Sequence, residues 1–270
     1  MTLTSAPSTL SSIAQAKLAT RDVSLGYDGR AVAEHLDVEI PVGSFTVVVG
    51  PNACGKSTLL RALARLIRPT QGEVLLDGKA ITALPTREIA RRLGLLPQTS
   101  IAPDGIRVSD LVARGRHPHQ TILRQWSTSD QAAVTAALEA TATTELSGRL
   151  VDELSGGQRQ RVWVAMLLAQ ESPTMLLDEP TTFLDIAHQY ELLRLFRRLH
   201  GEGRTVVAVL HDLNQAARFA DRIVMMRAGE VVAAGAPAEV VTAERVEQVF
   251  GLPCTVIPDP HSGTPLVVPL

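Results

Sequence analysis

Short, nearly uninterrupted apolar runs recur along the chain: Phe45-Thr46-Val47-Val48-Val49, Leu93-Gly94-Leu95-Leu96, Thr174-Met175-Leu176-Leu177, Thr205-Val206-Val207-Ala208-Val209-Leu210 and Arg222-Ile223-Val224-Met225-Met226. Runs without polar alternation predict strands covered on both faces. Helical periods separate them, first over 57–66, then over 87–92, and again between each of the last three strands. Strands that alternate with helices predict a mostly parallel sheet. Residues 17–49 read differently: apolar and polar positions alternate, with turns at Asp28-Gly29 and Pro41-Val42-Gly43. That pattern predicts an antiparallel β region leading into the first buried strand. Gly72-Glu73-Val74-Leu75-Leu76-Asp77-Gly78 predicts a further short strand entering a turn. From about Ser100 to Glu153 the helical periods, 108–114 and 130–139, come with no strong strand signal, as a helical insertion would. No internal repeat is visible. The Ser-, Thr- and Ala-rich residues 1–16 predict a disordered tail, and the Pro-rich end from Pro253 carries no legible period.

Composition narrows the function without naming it. At 270 residues, the chain suits one large domain or a domain with an inserted subdomain. A hydrophobic fraction of 45% with 20% charged residues is that of a globular protein in water. The net charge of −2 argues against a general nucleic-acid surface, because no excess of cations faces the phosphates. No apolar stretch is long enough to span a bilayer, so any membrane role must run through a partner. The N-terminus lacks the basic and apolar regions of a signal peptide. Cys54 and Cys254 form no metal spacing, which fits a reduced, cytosolic compartment.

The chemistry centres on Gly50-Pro51-Asn52-Ala53-Cys54-Gly55-Lys56-Ser57-Thr58, a match to G-x-x-x-x-G-K-[ST] between a predicted strand and a predicted helix. Gly50 and Gly55 allow backbone angles and approaches that a Cβ would block. Successive N–H groups can then face phosphate oxygens, with the helix dipole and Lys56 adding positive charge. Ser57 can hold Mg²⁺ through its hydroxyl. Ala53 stands where a loop of positive φ would prefer Gly or Asn. Cys54, two residues from Lys56 at a helix start, is expected to react with alkylating reagents and to be protected by MgATP.

Two further groups accompany this loop. The strand over 174–177 ends in Asp178-Glu179-Pro180; in phosphoryl transfer the first acid supports Mg²⁺ and the second can polarise the attacking water. Leu154-Ser155-Gly156-Gly157-Gln158 opens a helix over 159–170, with Ser155 as its cap and the glycine N–H groups as a second anion site.

Together these residues resemble the ATPase subunit of ATP-binding-cassette (ABC) transporters, over about residues 18–250. Residues 50–58 look like its Walker A loop, 174–179 like Walker B, and 154–158 match its LSGGQ signature. Gln98 falls at the Q-loop glutamine, Asp185 of Thr181-Thr182-Phe183-Leu184-Asp185 at the D-loop acid, His211 at the switch histidine and Tyr27 at the aromatic that stacks on adenine. The resemblance implies an α/β fold: a P-loop NTPase core with a mostly parallel sheet, an antiparallel β subdomain and an inserted helical subdomain. It places the ATPase domain at 17–252, with the insertion at about 100–170 and an extension at 253–270. It implies ATP and Mg²⁺ as ligands, with the metal at Ser57, Gln98 and Asp178, and Glu179, His211 and Gln98 as the catalytic set. It also implies a head-to-tail homodimer in which Ser155 of one subunit meets ATP held by Lys56 of the other. The partners are then an integral-membrane permease, which holds the subunit at the cytoplasmic face of the membrane, and indirectly a substrate-binding protein. No nucleic acid is implied.

Within the family, Gly115-Arg116-His117-Pro118-His119, Leu154-Ser155-Gly156-Gly157-Gln158-Arg159-Gln160-Arg161 and Phe183-Leu184-Asp185-Ile186-Ala187-His188-Gln189 resemble bacterial importers of ferric siderophores; haem and vitamin B12 importers are near relatives. His117 and His119 flank a proline without a third ligand and read as a loop feature. Competing classes fit less well. A P-loop GTPase would need an N-K-x-D guanine reader. A DNA-acting ABC ATPase would carry a long coiled-coil or zinc insertion, and a translation-type protein would carry two cassettes. A non-hydrolysing regulator would lack Lys56 or Glu179.

Overall fold

The computed structural model describes residues 16–27, 29–120 and 126–270. The segment read as a disordered tail lies outside these residues except for Ala16, which already belongs to the first strand. Asp28 of the first turn also lies outside them.

In chain order the strands are β1 (Ala16–Tyr27), β2 (Arg30–Leu36), β3 (Glu39–Pro41), β4 (Phe45–Val49), β5 (Gln71–Leu76), β6 (Lys79–Ala80), β7 (Leu93–Leu96), β8 (Thr174–Asp178), β9 (Thr205–Val209), β10 (Arg222–Arg227), β11 (Glu230–Gly235), β12 (Cys254–Pro258) and β13 (Pro265–Pro269). The helices are α1 (Lys56–Leu63), α2 (Thr86–Arg92), α3 (Val108–Ala113), α4 (Thr128–Ala140), α5 (Gly156–Ala169), α6 (Ile186–Gly201), α7 (Leu213–Phe219), α8 (Pro237–Val240) and α9 (Ala243–Phe250).

The central sheet has six strands in the order β11-β10-β4-β9-β8-β7. Every pair from β10 to β7 is parallel; only β11 runs antiparallel, on β10. The apolar runs are continuous because successive side chains enter two different cores. Val47 and Val49, Met175 and Leu177, Val206 and Ala208, and Ile223 and Met225 face one cluster. Val48, Leu176, Val207, Val209, Val224 and Met226 face the other. Each such side chain is fully or almost fully buried, which is worth about 1.5–3 kcal/mol apiece. The first cluster lies against α3, α4, α5 and α6; the second lies against α1 and the antiparallel sheet β2-β1-β5-β6.

The parallel register brings five strand ends to one edge. Leu96 pairs with Leu177, Asp178 with Val209, and Val48 with both Val209 and Val224. The residues leaving those ends are therefore neighbours, at the carboxyl edge where open α/β sheets bind ligands.

Between β7 and β8 the chain is helical, and an isolated bridge between Arg107 and Leu150 joins its two flanks. The Arg116-His117-Pro118-His119 segment sits in a 3₁₀ turn (Arg114–His119). Buried Arg116 donates to Asp130 (2.9 Å), to the Ala169 carbonyl (2.7 Å) and to Glu171 (2.6 Å). His119 Nε2 bonds the Gln170 carbonyl at 2.8 Å, and the Pro118 carbonyl accepts from Arg87 and Arg91 of α2. The segment thus ties α2 to the end of α5. Among the described residues no cluster of three His, Cys, Asp or Glu side chains is arranged to hold a metal.

The Pro-rich end is an antiparallel hairpin, β12–β13, resting on α7 and α9.

Candidate active site

The chain leaves β4 at Gly50, where a Cβ would come within 2.2 Å of the Met226 carbonyl oxygen. Only glycine permits that approach to β10. The loop then passes through Ala53 at φ 60 and Gly55 at φ 101, the latter capping α1. Lys56, the first residue of α1, is 5% exposed, and its ammonium donates to the carbonyls of Gly50 (2.9 Å) and Pro51 (2.7 Å). The loop therefore wraps a cation, and residues 52–58 with Val32, Gln98, Glu179 and His211 line a cavity of about 850 Å³. A cradle of this charge and shape fits a nucleotide triphosphate.

Ala53 pays for its left-handed backbone. Ala53→Gly should raise stability by about 0.5–1 kcal/mol, net of the entropy glycine adds to the unfolded chain. The thermal midpoint should rise by about 2 °C; a fall would mean that the exposed Cβ makes a contact worth more than the strain.

Cys54 departs from expectation. Its side chain is only 4% exposed and belongs to the second core with Leu59, Val209 and Met226, and its sulfur accepts from the Lys56 ammonium at 3.9 Å. Burial restricts access of an alkylating reagent to this thiol even though it stands beside the cation.

The acids follow from β8, buried along its whole length. Asp178 at its end is 1% exposed and accepts from Ser57 Oγ at 2.8 Å. Burial pushes its carboxyl above the usual range, the Ser57 hydrogen bond opposes that, and the Glu179 carboxylate reinforces it. A buried carboxylate and a hydroxyl held together beside the phosphate cradle form the hard oxygen pair that Mg²⁺ prefers. Glu179 stands at φ 52, a strained angle for a non-glycine residue. Its side chain is held at both oxygens: His211 Nε2 lies 2.7 Å from Oε1, and Gln98 Nε2 donates to Oε2 at 2.8 Å. Gln98 thus contacts Glu179, whereas the metal ligation expected of it would aim at the Ser57–Asp178 pair.

The signature residues lie elsewhere. Ser155 caps α5 in a reciprocal box with Gln158, whose backbone N–H donates to Ser155 Oγ (3.3 Å) while its side-chain Oε1 accepts from Ser155 N (3.1 Å). The helix consequently starts at Gly156, ahead of the expected 159. Asp185 caps α6, and the hydrogen bonds from His188, chiefly from its backbone, hold the carboxyl below the usual range. Residues 155–158 and Asp185 line a second, open cavity of about 530 Å³ together with Arg161, Phe183, Leu184 and His188. This cavity shares no residue with the first. The structure does not bring Tyr27 into the lining either; it stands 41% exposed at the end of β1, and the residue of that hairpin which lines the cavity is Val32.

Sequence reasoning missed Val32, which looked like any alternating strand residue. It also missed Gln160, whose amide donates to the Pro180 carbonyl at 2.9 Å and ties α5 to the residues after β8. The aromatic Phe183, part of the D-loop and importer resemblances, stands at φ 67 and is 78% exposed.

A family model described as ABC transporter matches residues 33–182. The ferric enterobactin transport ATP-binding protein of Escherichia coli (strain K12) is 56% identical over 256 residues, covering 94% of each chain. A protein of Bacillus subtilis (strain 168) described as a probable siderophore transport system ATP-binding protein is 51% identical over 253 residues, covering 93% of this chain and 92% of that one. Among solved structures, the dimeric structure of a bacterial ABC transporter cassette superposes with a TM-score of 0.73 at 27% identity, over 81% of this chain and 98% of that one.

Proposed function

The chain belongs to the ABC transporter family as an ATP-hydrolysing subunit, and from that premise we propose that it powers a membrane permease importing a ferric siderophore. The observation that carries the two-chain part of this reading is the separation of the two cavities. The Lys56 cradle has the base and the cation site but no signature residue; the Ser155 cavity has a helix N-terminus and no cradle. Each is half of a site, and two copies head to tail complete both. ATP held by Lys56 of one subunit then meets the first-turn N–H groups at Ser155 of the other, with Asp185 at the seam.

In this reading Ser57 and Asp178 hold Mg²⁺, which when bound neutralises charge on the phosphates. Lys56 and the loop amides fix the triphosphate. Glu179 takes the proton of the attacking water, and His211 and Gln98 keep its carboxylate aimed. Tyr27, exposed on the same hairpin as Val32, offers its ring to the base. Closing on ATP and opening after hydrolysis is a population shift driven by the differing affinities of the two states. No described helix is long and apolar enough to cross a membrane. In this reading the subunit works at the cytoplasmic face through the permease, with a binding protein delivering cargo. The siderophore assignment rests on the Arg116–His119 and Phe183–Gln189 sequence features and on the relatives' transport roles. The net charge of −2 gives no support to a DNA-acting alternative.

Deleting the gene should impair growth when a ferric siderophore is the sole iron source, and excess free iron should restore it. Growth unaffected by iron supply but dependent on cobalamin or haem would transfer the assignment to the corresponding sister importer.

A further inference from the structure

The hairpin β12–β13 has no role in the reading above, yet it is bonded to the helix that follows His211. We propose that this hairpin is a positioning device for His211, acting through Asn214; the proposal rests on the role given to His211.

His211 and the start of α7 form one rigid unit. Asp212 caps the helix, its Oδ1 accepting from the N–H groups of Asn214 (2.8 Å) and Gln215 (2.9 Å). A seven-residue helix cannot hold its own orientation and depends on what grips it. Two grips are present. Asn214 faces the hairpin as a strand residue would: its Oδ1 accepts from Val267 N at 2.7 Å and its Nδ2 donates to the Val267 carbonyl at 3.1 Å. One turn on, on the same face, Arg218 pairs with Asp259 at 3.9 Å. Asp259 is itself fixed by the N–H groups of His261 and Ser262, at 2.8 and 2.9 Å, so the pair anchors to a rigid turn. On the other side, buried Gln215 donates to Gln189 of α6 at 2.8 Å.

The hairpin is a firm anchor in its own right. Cys254 and Val267 are 8% and 7% exposed and join the main core. Between it and His211 lies a cavity of about 240 Å³, lined by His211, Asn214, Phe250 and Val267 among others. His211 is half exposed, so neither its own burial nor tight packing fixes it. Loosening α7 would let the ring leave Glu179 through that space. A displacement near 1 Å at a catalytic contact can cost about 100-fold in rate.

The test is a set of variants assayed for ATP hydrolysis and for binding of a non-hydrolysable ATP analogue. Asn214→Ala should lower kcat by about 10- to 100-fold with analogue affinity and KM unchanged, because the Lys56 cradle is untouched. Asn214→Asp keeps the acceptor for Val267 N but sets a carboxylate against the Val267 carbonyl, and should fall between. The decisive measurement is the double variant: in a His211→Ala background, Asn214→Ala should cause no further loss, because residues acting as one unit are not additive. Wild-type kcat in Asn214→Ala, losses that multiply with His211→Ala, or a joint fall in analogue affinity would each overturn the proposal. If His211→Ala itself hydrolyses normally, the role of His211 fails, and the positioning proposal with it.

Discussion

Glu179→Gln should hydrolyse ATP at least 100-fold more slowly than the unaltered protein, with nucleotide binding intact. The substitution keeps the size of the side chain and removes its charge. Both carboxylate oxygens are already engaged, one by His211 Nε2 at 2.7 Å and the other by Gln98 Nε2 at 2.8 Å. An amide in the same place can accept from Gln98 through its oxygen and donate its NH₂ to His211 Nε2 once that nitrogen becomes the acceptor, so the geometry is kept and the base is lost. Losing a positioned general base costs roughly 10²–10⁴ in rate, about 3–5 kcal/mol of transition-state stabilisation. Binding is spared because the groups that hold the triphosphate are separate: Lys56 is tied to Gly50 and Pro51, and Ser57 to Asp178. The variant should therefore accumulate as an ATP-bound dimer, visible by size-exclusion chromatography with ATP present. Normal turnover would remove Glu179 from the role of base and leave its strained backbone, at φ 52, without a catalytic reason.

That prediction could be framed from the sequence because of how parallel sheets are written. Strands covered on both faces are continuous apolar runs, and their ends are marked by the first polar residue. Asp178, His211 and the loop after Val49 were legible on that ground, and the register of β7, β8, β9 and β4 turned adjacent strand ends into one site. Side-chain direction was not legible. Cys54 stands beside Lys56, but the loop buries its side chain in the second core. Gln98 carried a metal role by resemblance, yet its amide meets Glu179, a contact set by how the chain leaves β7. The start of α5 was placed late because two glycines are poor helix formers, whereas the Ser155–Gln158 box outweighs them. The hairpin at the end escaped notice for a different reason. Its strands carry prolines at 258, 265 and 269 and bury few side chains, so no period of two emerges.

Ser155→Arg should abolish hydrolysis while leaving the affinity of a single subunit for an ATP analogue unchanged. Ser155 is exposed at the mouth of the second cavity, about 530 Å³, which contains none of the residues of the Lys56 cradle. In the proposed head-to-tail dimer, an arginine there fills the space that the partner's triphosphate would enter, and blocks the N–H groups of the first turn of α5. The fold should tolerate it. Losing the cap costs about 1 kcal/mol, while Val162, Val164 and Ala165 of α5 remain fully buried. Ser155→Ala separates the two effects, since it removes the cap without filling the cavity; its loss of hydrolysis should be far smaller. Analogue affinity, hydrolysis and the ATP-dependent dimer should be measured together on all three proteins. Loss of hydrolysis and of the dimer with affinity retained is the signature of a site shared between two copies. If affinity falls in step with hydrolysis, Ser155 acts within its own chain, and the two cavities cannot be halves of one site.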